Sequence, residues 1–211
     1  VPAARRHLLV VRHGQSTWNA EGRWQGQADP PLSALGEEQA RDAGERLAGI
    51  GFSGVVASDL ARARRTAEIL AVAAGLGLPV QVDACLREID VGDWTGLTAS
   101  AIRAGWPGEL ASWSEGRSAS PPGGESRDHL AARARTALSR AAAAAGPGDR
   151  LLLVTHGALI RNLDRDLGLA PHGIGNLAGR WYQADGNGLL VAGEPVSLVD
   201  LVDRTPGEQP A

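Results

Sequence analysis

Arg12-His13-Gly14 ends a short apolar run at residues 8–11, and Thr155-His156-Gly157 ends another at residues 151–154. Two strands that each deliver a histidine from the carboxyl end bring both imidazoles to one edge of a sheet, where ligands of open α/β sheets bind. A glycine follows each histidine and lets backbone approach a ligand closely. Neutral imidazole is a competent nucleophile near neutral pH, because its ordinary pKa is about 6.5. Phosphoryl transfer asks for such a nucleophile, for positive charge around three equatorial oxygens, and for an acid on the leaving oxygen. Arg12 and Arg62 can supply the charge as planar forks that clamp phosphate oxygens. Arg62 lies in Ser58-Asp59-Leu60-Ala61-Arg62-Ala63, at the start of a predicted helix that follows a strand. It therefore faces the same edge, where the helix dipole favours an anion. Cations beside His13 disfavour its protonated form and keep it ready to attack.

The elements that must position these groups follow from periodicity and punctuation. Residues 8–11 read as a buried parallel strand, and residues 14–31 as a long loop, a length that is usually functional. Ser33 reads as the N-cap of a helix to about Leu47. Residues 54–57 read as a strand, with Asp59 opening a helix over about 60–74 that Gly75 and Gly77 end. A third strand is predicted at 80–82, an irregular stretch at 86–96, and short helices at 98–104 and 109–114. A Pro/Gly loop at 118–124 precedes a long helix over 125–145. The fourth strand, 151–154, leads into a helix over 158–167, and further strands are predicted near 180–183, 189–191 and 198–201. Strands alternating with helices give one α/β domain over residues 1–204, with a mainly parallel central sheet flanked by helices on both faces. The insertion at about 97–124 reads as a small helical cap, and residues 205–211 as a disordered tail.

The bulk numbers bound the partners. The 211 residues suit one well-buried domain. A net charge of −3 gives no reason to expect nucleic acid or an anionic membrane. All 21 basic residues are arginine, which excludes chemistry that needs a lysine, such as a Schiff base or a P-loop. Cys85 is the single cysteine, so there is no internal disulfide, and it reads as a core residue. No apolar run is long enough to cross a bilayer, and the first residues are too short for a secretory signal. The cytoplasm is the default location.

Several longer motifs surround the two histidines. Gln15-Ser16-Thr17-Trp18-Asn19 continues the first, followed by Arg23-Trp24-Gln25-Gly26, Asp29-Pro30-Pro31-Leu32-Ser33, Gly36 and Gln39-Ala40. Thr66-Ala67 continues the Arg62 motif. Leu86-Arg87-Glu88, Gly92-Asp93-Trp94-Thr95-Gly96-Leu97 and Gly123-Gly124-Glu125-Ser126 complete the set. In this order the chain resembles the histidine phosphatase (phosphoglycerate mutase-like) superfamily, in its small broad-specificity phosphatase branch, over about residues 8–165. The resemblance implies a phosphomonoesterase in which His13 becomes phosphorylated. Arg12, Arg62 and His156 would hold the phosphoryl oxygens, with Asn19, Gln25 and Gly157 adding substrate contacts. Glu88 would be the acid for the leaving alkoxide and then the base for water. Some branches carry an aspartate directly after the second histidine; here Gly157 and Ala158 stand there, which leaves Glu88 as the best acid. No metal and no cofactor is implied, since His7, His129 and His172 lack ligand-like spacing.

Three readings of the activity follow from the resemblance. The first is hydrolysis of a small phosphorylated metabolite. The second is a phosphoglycerate mutase using the same phosphohistidine, disfavoured because the mutases carry extra lysines and a longer insertion. The third is a non-catalytic module that binds phosphorylated ligands. The resemblance also allows a homodimer. Trp18, Trp24, Trp94, Trp106 and Trp113 either line a substrate pocket or fill the core. Arg103, Arg117 and Arg127 read as a solvated face, with contact to a charged substrate as the alternative.

Overall fold

The computed structural model describes residues 5–170, 173–185 and 190–199. Six strands form one sheet: β1 (Arg6–Arg12), β2 (Gly54–Ala57), β3 (Val80–Val82), β4 (Arg150–Thr155), β5 (Ala178–Ala184) and β6 (Leu190–Ser197), in the order β3-β2-β4-β1-β5-β6. The first four run parallel, and β5 and β6 extend the sheet antiparallel from β1. Residues of β1 alternate between two cores, as the two-residue strand period requires. Leu9 and Val11 pack on one face with Ala40, Ala43 and Leu47 of α2 (Ala34–Leu47) and Ala63, Ala67 and Leu70 of α3 (Ala61–Ala73). Leu8 and Val10 pack on the other with Leu138 of α6 (Arg127–Ala144) and Ile160 and Leu163 of α7 (Gly157–Asp166). The α/β class and the helices on both faces are as the sequence predicts.

The register of this sheet sets the site. Arg12 of β1 pairs with Thr155 of β4, so the next residue of each strand, His13 and His156, leaves the sheet side by side. The His13 amide still donates to the Thr155 carbonyl at 2.9 Å.

A third cluster lies over this edge. The insertion forms α4 (Ala99–Gly105) and α5 (Pro107–Ser114), and Ile102, Leu110 and Trp113 from them pack on Trp24, Trp94 and Leu130. Trp24, Trp94 and Trp113 meet edge-on or tilted at 5.5–5.7 Å and are buried. At about 25 cal/mol per Å2 over the 150–250 Å2 such rings bury, each contributes roughly 4–6 kcal/mol. These three tryptophans therefore fill the core, while Trp18 and Trp106 stay half-buried.

Three local expectations change. The loop at 14–31 contains a one-turn helix, α1 (Thr17–Ala20), which Ser16 and Asn19 hold by reciprocal capping. Asp59 does not cap α3: its carboxylate grips Arg87 at 2.6 Å, and Asp29, from the loop, accepts the Ala61 amide at 2.7 Å instead. Ser197 ends β6, and Leu198 and Val199 form a bend where a strand over 198–201 was expected; residues 200 and 201 and the tail lie outside the described residues. Cys85 is half-buried in a 3-10 turn, Ala84–Leu86. Among the described residues no helix is long and apolar enough to cross a membrane.

Candidate active site

His13 is fixed by its backbone and by one ring nitrogen. Its Nδ1 lies 2.6 Å from the Gly14 carbonyl, which accepts a proton only if Nδ1 carries one. The lone pair then sits on Nε2, which faces Nε of Arg62 at 3.3 Å. The loop around the ring is held from several sides: the Gly14 amide donates to Thr66 Oγ1 at 3.1 Å and the Asn176 side chain donates to the His13 carbonyl at 2.9 Å. The N-terminal turn of α2 presses against the same loop. A methyl built on Gly36 would stand 2.0 Å from the Gln15 carbonyl oxygen, so only glycine permits this approach.

Arg62 is fully buried in the first turn of α3. Its other nitrogens donate to the Ala28 carbonyl at 2.7 Å and the Gly26 carbonyl at 2.9 Å. Burial pushes its pKa down to about 10, partly offset by Glu88 and Asp29, so it remains a cation at neutral pH. Arg12 is half-buried and donates to the Ile174 carbonyl at 2.6 Å.

The ring of His156 lies 5.1 Å from that of His13, centroid to centroid, at 64°, a span that one phosphoryl group bridges. It is fully buried, yet among the described residues neither ring nitrogen has a hydrogen-bond partner. A buried polar group without a partner is costly and marks a place for a polar ligand. Burial first, then the charge of Arg62, holds both imidazoles well below the ordinary histidine range; Arg12 adds to this at both rings, His13 and Arg133 at His156, while the Gly14 hydrogen bond opposes it at His13. Both rings are therefore neutral at pH 7.

Glu88 comes to the same edge from the irregular segment and is 7% exposed. Its Oε1 accepts the amides of Ile89 at 3.0 Å and Leu159 at 3.1 Å, and its Oε2 accepts the amide of Ala158 at 3.1 Å. A carboxylate on the first amides of α7 answers the unpaired donors of a helix start, and this ties Glu88 to the helix that begins directly after His156. Asn19 and Gln25 sit nearby with their side-chain oxygens engaged, Asn19 by the Ser16 amide at 3.1 Å and Gln25 by the Ser16 hydroxyl at 2.8 Å. With the oxygens committed, each amide offers N–H donors, the half suited to an anion. Gly157 opens α7.

One supporting device was not legible in the sequence. Arg133 of α6 donates to the carbonyls of Cys85 at 3.0 Å and Glu88 at 2.8 Å and also to that of Arg87. It is paired through two nitrogens with the buried Glu125 at 2.7 Å. Its donors converge on backbone carbonyls, which carry no side-chain signature. The Gly123-Gly124-Glu125-Ser126 motif showed only the acidic half.

A family model described as "Histidine phosphatase superfamily (branch 1)" matches residues 8–179. The glucosyl-3-phosphoglycerate phosphatase of Mycobacterium tuberculosis is 39% identical over 196 residues, 86% of each chain. A probable phosphoglycerate mutase of Salmonella paratyphi B is 41% identical over 154 residues, 71% of this chain and 69% of that one. The solved structure of mycobacterial glucosyl-3-phosphoglycerate phosphatase with VO3 is 40% identical, covers 86% of this chain and 90% of that one, and superposes with a TM-score of 0.72.

Proposed function

Because the chain belongs to the histidine phosphatase superfamily, we propose that it is a phosphomonoesterase that hydrolyses a small phosphorylated metabolite through a phosphohistidine on His13. The observation that carries this reading is the pair of neutral imidazoles 5.1 Å apart, one with Nε2 beside a buried arginine and one with no partner among the described residues. In the first step Nε2 of His13 attacks phosphorus, the P–N bond forms and the ester P–O bond breaks. The leaving oxygen takes its proton from Glu88. In the second step water attacks phosphorus, Glu88 takes the water proton, and inorganic phosphate departs as the P–N bond breaks. Arg12, Arg62 and His156 hold the equatorial oxygens, with N–H groups of Asn19, Gln25 and Gly157 adding to them. As phosphate enters, its oxygens replace the long contact between Arg62 and His13.

The similarity to glucosyl-3-phosphoglycerate phosphatase favours phosphoglycerate-type esters as the substrate class. The setting is cytoplasmic, without nucleic acid or membrane, and the chain acts as a monomer or homodimer. The similarity to a probable phosphoglycerate mutase favours a second reading, in which phospho-His13 returns its group to a bound phosphoglycerate. Incubation with a panel of phosphorylated metabolites, including 3-phosphoglycerate with a bisphosphoglycerate primer, separates the two. Hydrolysis gives free phosphate from at least one member of the panel. Isomerisation of phosphoglycerate without phosphate release overturns the hydrolytic reading in favour of the mutase.

A further inference from the structure

The segment that leads into β5 grips Arg12 and His13 from the far end of the chain. Gly175 to Ala178 close a turn, in which the Ala178 amide donates to the Gly175 carbonyl at 3.1 Å. Its third residue, Leu177, has φ +54°, and no other non-glycine residue among those described has a positive φ. A turn with positive φ at the third position favours glycine or asparagine there. An asparagine is at hand, but it stands second, as Asn176, and leucine takes the strained place. Local preference would exchange the two. Strain held against local preference gathers at functional sites.

The two side chains explain the order. Leu177 is fully buried and anchors the turn in the core with α2 and α3. Asn176 is buried too, and its Nδ2 donates to the His13 carbonyl at 2.9 Å. The backbone of the same segment holds Arg12 twice. The Leu177 amide donates to the Arg12 carbonyl at 3.1 Å, and the Ile174 carbonyl accepts Nη1 of Arg12 at 2.6 Å. Directly after the turn β5 lies close against β1: a methyl built on Gly179 would collide with the Val10 carbonyl.

Four polar groups belong to the two peptide units that flank the His13 Cα, and each has a partner. Before it, the Arg12 carbonyl accepts Leu177 and the His13 amide donates to Thr155. After it, the His13 carbonyl accepts Asn176 and the Gly14 amide donates to Thr66. The sheet and α3 supply one bond each, and the turn supplies the other two. A tilt of the His13–Gly14 peptide carries Gly14 with it, and the Gly14 carbonyl orients the His13 ring through Nδ1.

We propose that Asn176 is a positioning residue for the nucleophile. Its amide fixes the His13–Gly14 peptide, and so the line along which Nε2 of His13 meets phosphorus, while the turn that carries it holds Arg12 beside His13. The inference rests on the reading of His13 as the nucleophile. Asn176 reaches the phosphoryl group only through that residue.

The test is single-turnover formation of phospho-His13 at saturating ester in Asn176→Ala and Asn176→Asp, with inhibition by inorganic phosphate measured on the first. Alanine removes both the donor and the volume. Aspartate keeps the shape and sets an acceptor against the His13 carbonyl. Both variants form phospho-His13 about tenfold or more slowly, by similar factors on alkyl and aryl esters, because one nucleophile attacks both. In Asn176→Ala the phosphate inhibition constant stays within about twofold, because the cations that hold phosphate remain. Asn176→Asp loses at least as much rate as Asn176→Ala, whereas a role in filling space alone would spare it. It also decides the matter if Asn176→Ala does not fold. Rates within about twofold of the parent in either variant, or a loss in Asn176→Ala that appears as weaker phosphate binding at an unchanged rate, overturn the assignment. Failure of the nucleophile reading shows differently, in a parent chain that forms no phospho-His13.

Discussion

Nε of Arg62 lies 3.3 Å from Nε2 of His13, so the atom proposed to attack phosphorus already faces the cation proposed to hold the phosphoryl oxygens. Nucleophile and clamp are assembled before substrate arrives, and that cation helps keep the ring neutral. Burial of the pair leaves water little access to screen the interaction.

This neutrality has a cost in acid. Both His13 and His156 are held well below 6.5 in the fold, whereas the unfolded chain binds protons at about 6.5. Below that pH the unfolded state binds more protons, so stability is fully present above about 6.5 and falls as pH drops toward the folded values. Urea unfolding at pH 7 and pH 5.5 should show that His156→Gln loses about 1 kcal/mol less than the parent chain over this interval. An equal loss in both would mean that His156 is not held neutral.

Glu88→Gln should slow hydrolysis of alkyl phosphates about 100-fold or more and of aryl phosphates much less, because an aryl oxide leaves without a proton. The amide nitrogen of glutamine cannot accept a backbone N–H, so part of the contact with Ile89, Ala158 and Leu159 is lost at a cost of about 1–3 kcal/mol. Equal rate losses on p-nitrophenyl phosphate and an alkyl phosphate would remove Glu88 from proton transfer.

Arg133 reaches the chemistry through the Glu88 segment, whose carbonyls it holds, and through its charge at His156. Arg133→Gln should lower kcat roughly tenfold or more with little change in KM, and the loss should follow the Glu88→Gln pattern, larger on alkyl than on aryl esters. Stability should drop by about 1–3 kcal/mol, since Glu125 loses Arg133 and keeps only His129 at 2.9 Å and the Asp90 amide at 3.3 Å. A fall in stability with kcat intact on both ester types would reduce Arg133 to a structural pair.

Gly36 meets the Gln15 carbonyl so closely that Gly36→Ala must push α2 off the His13 loop. Overpacking of this kind costs about 1–3 kcal/mol or more. The melting temperature should fall, and kcat should fall with it through displaced His13. Full activity and unchanged stability would show that the loop yields freely.

Much of this was legible in the sequence because the signals are local. Residues 8–11 and 151–154 are apolar runs that end in histidine and glycine, and the sheet register then places both rings together. Ser33 caps α2 as its position predicts, accepting the Gly36 amide at 3.0 Å. What stayed hidden depends on distant partners. Asp59 has the right type and place to cap α3, but Arg87 takes its carboxylate and Asp29 caps from another loop. The short α1 is too brief for a periodic signal and exists through Ser16 and Asn19. Arg127 looked like a solvated charge, and only packing shows Trp113 against it. Arg133 carries no motif of its own.

The most direct measurement is acid-free quenching of a reaction with a phosphomonoester, followed by mass spectrometry and 31P NMR of the trapped protein. A phosphoramidate on Nε2 of His13, formed and consumed at rates compatible with turnover and absent from His13→Ala, is the expected result. Turnover with phosphate attached to His156, to a carboxylate, or to no residue at all would contradict it.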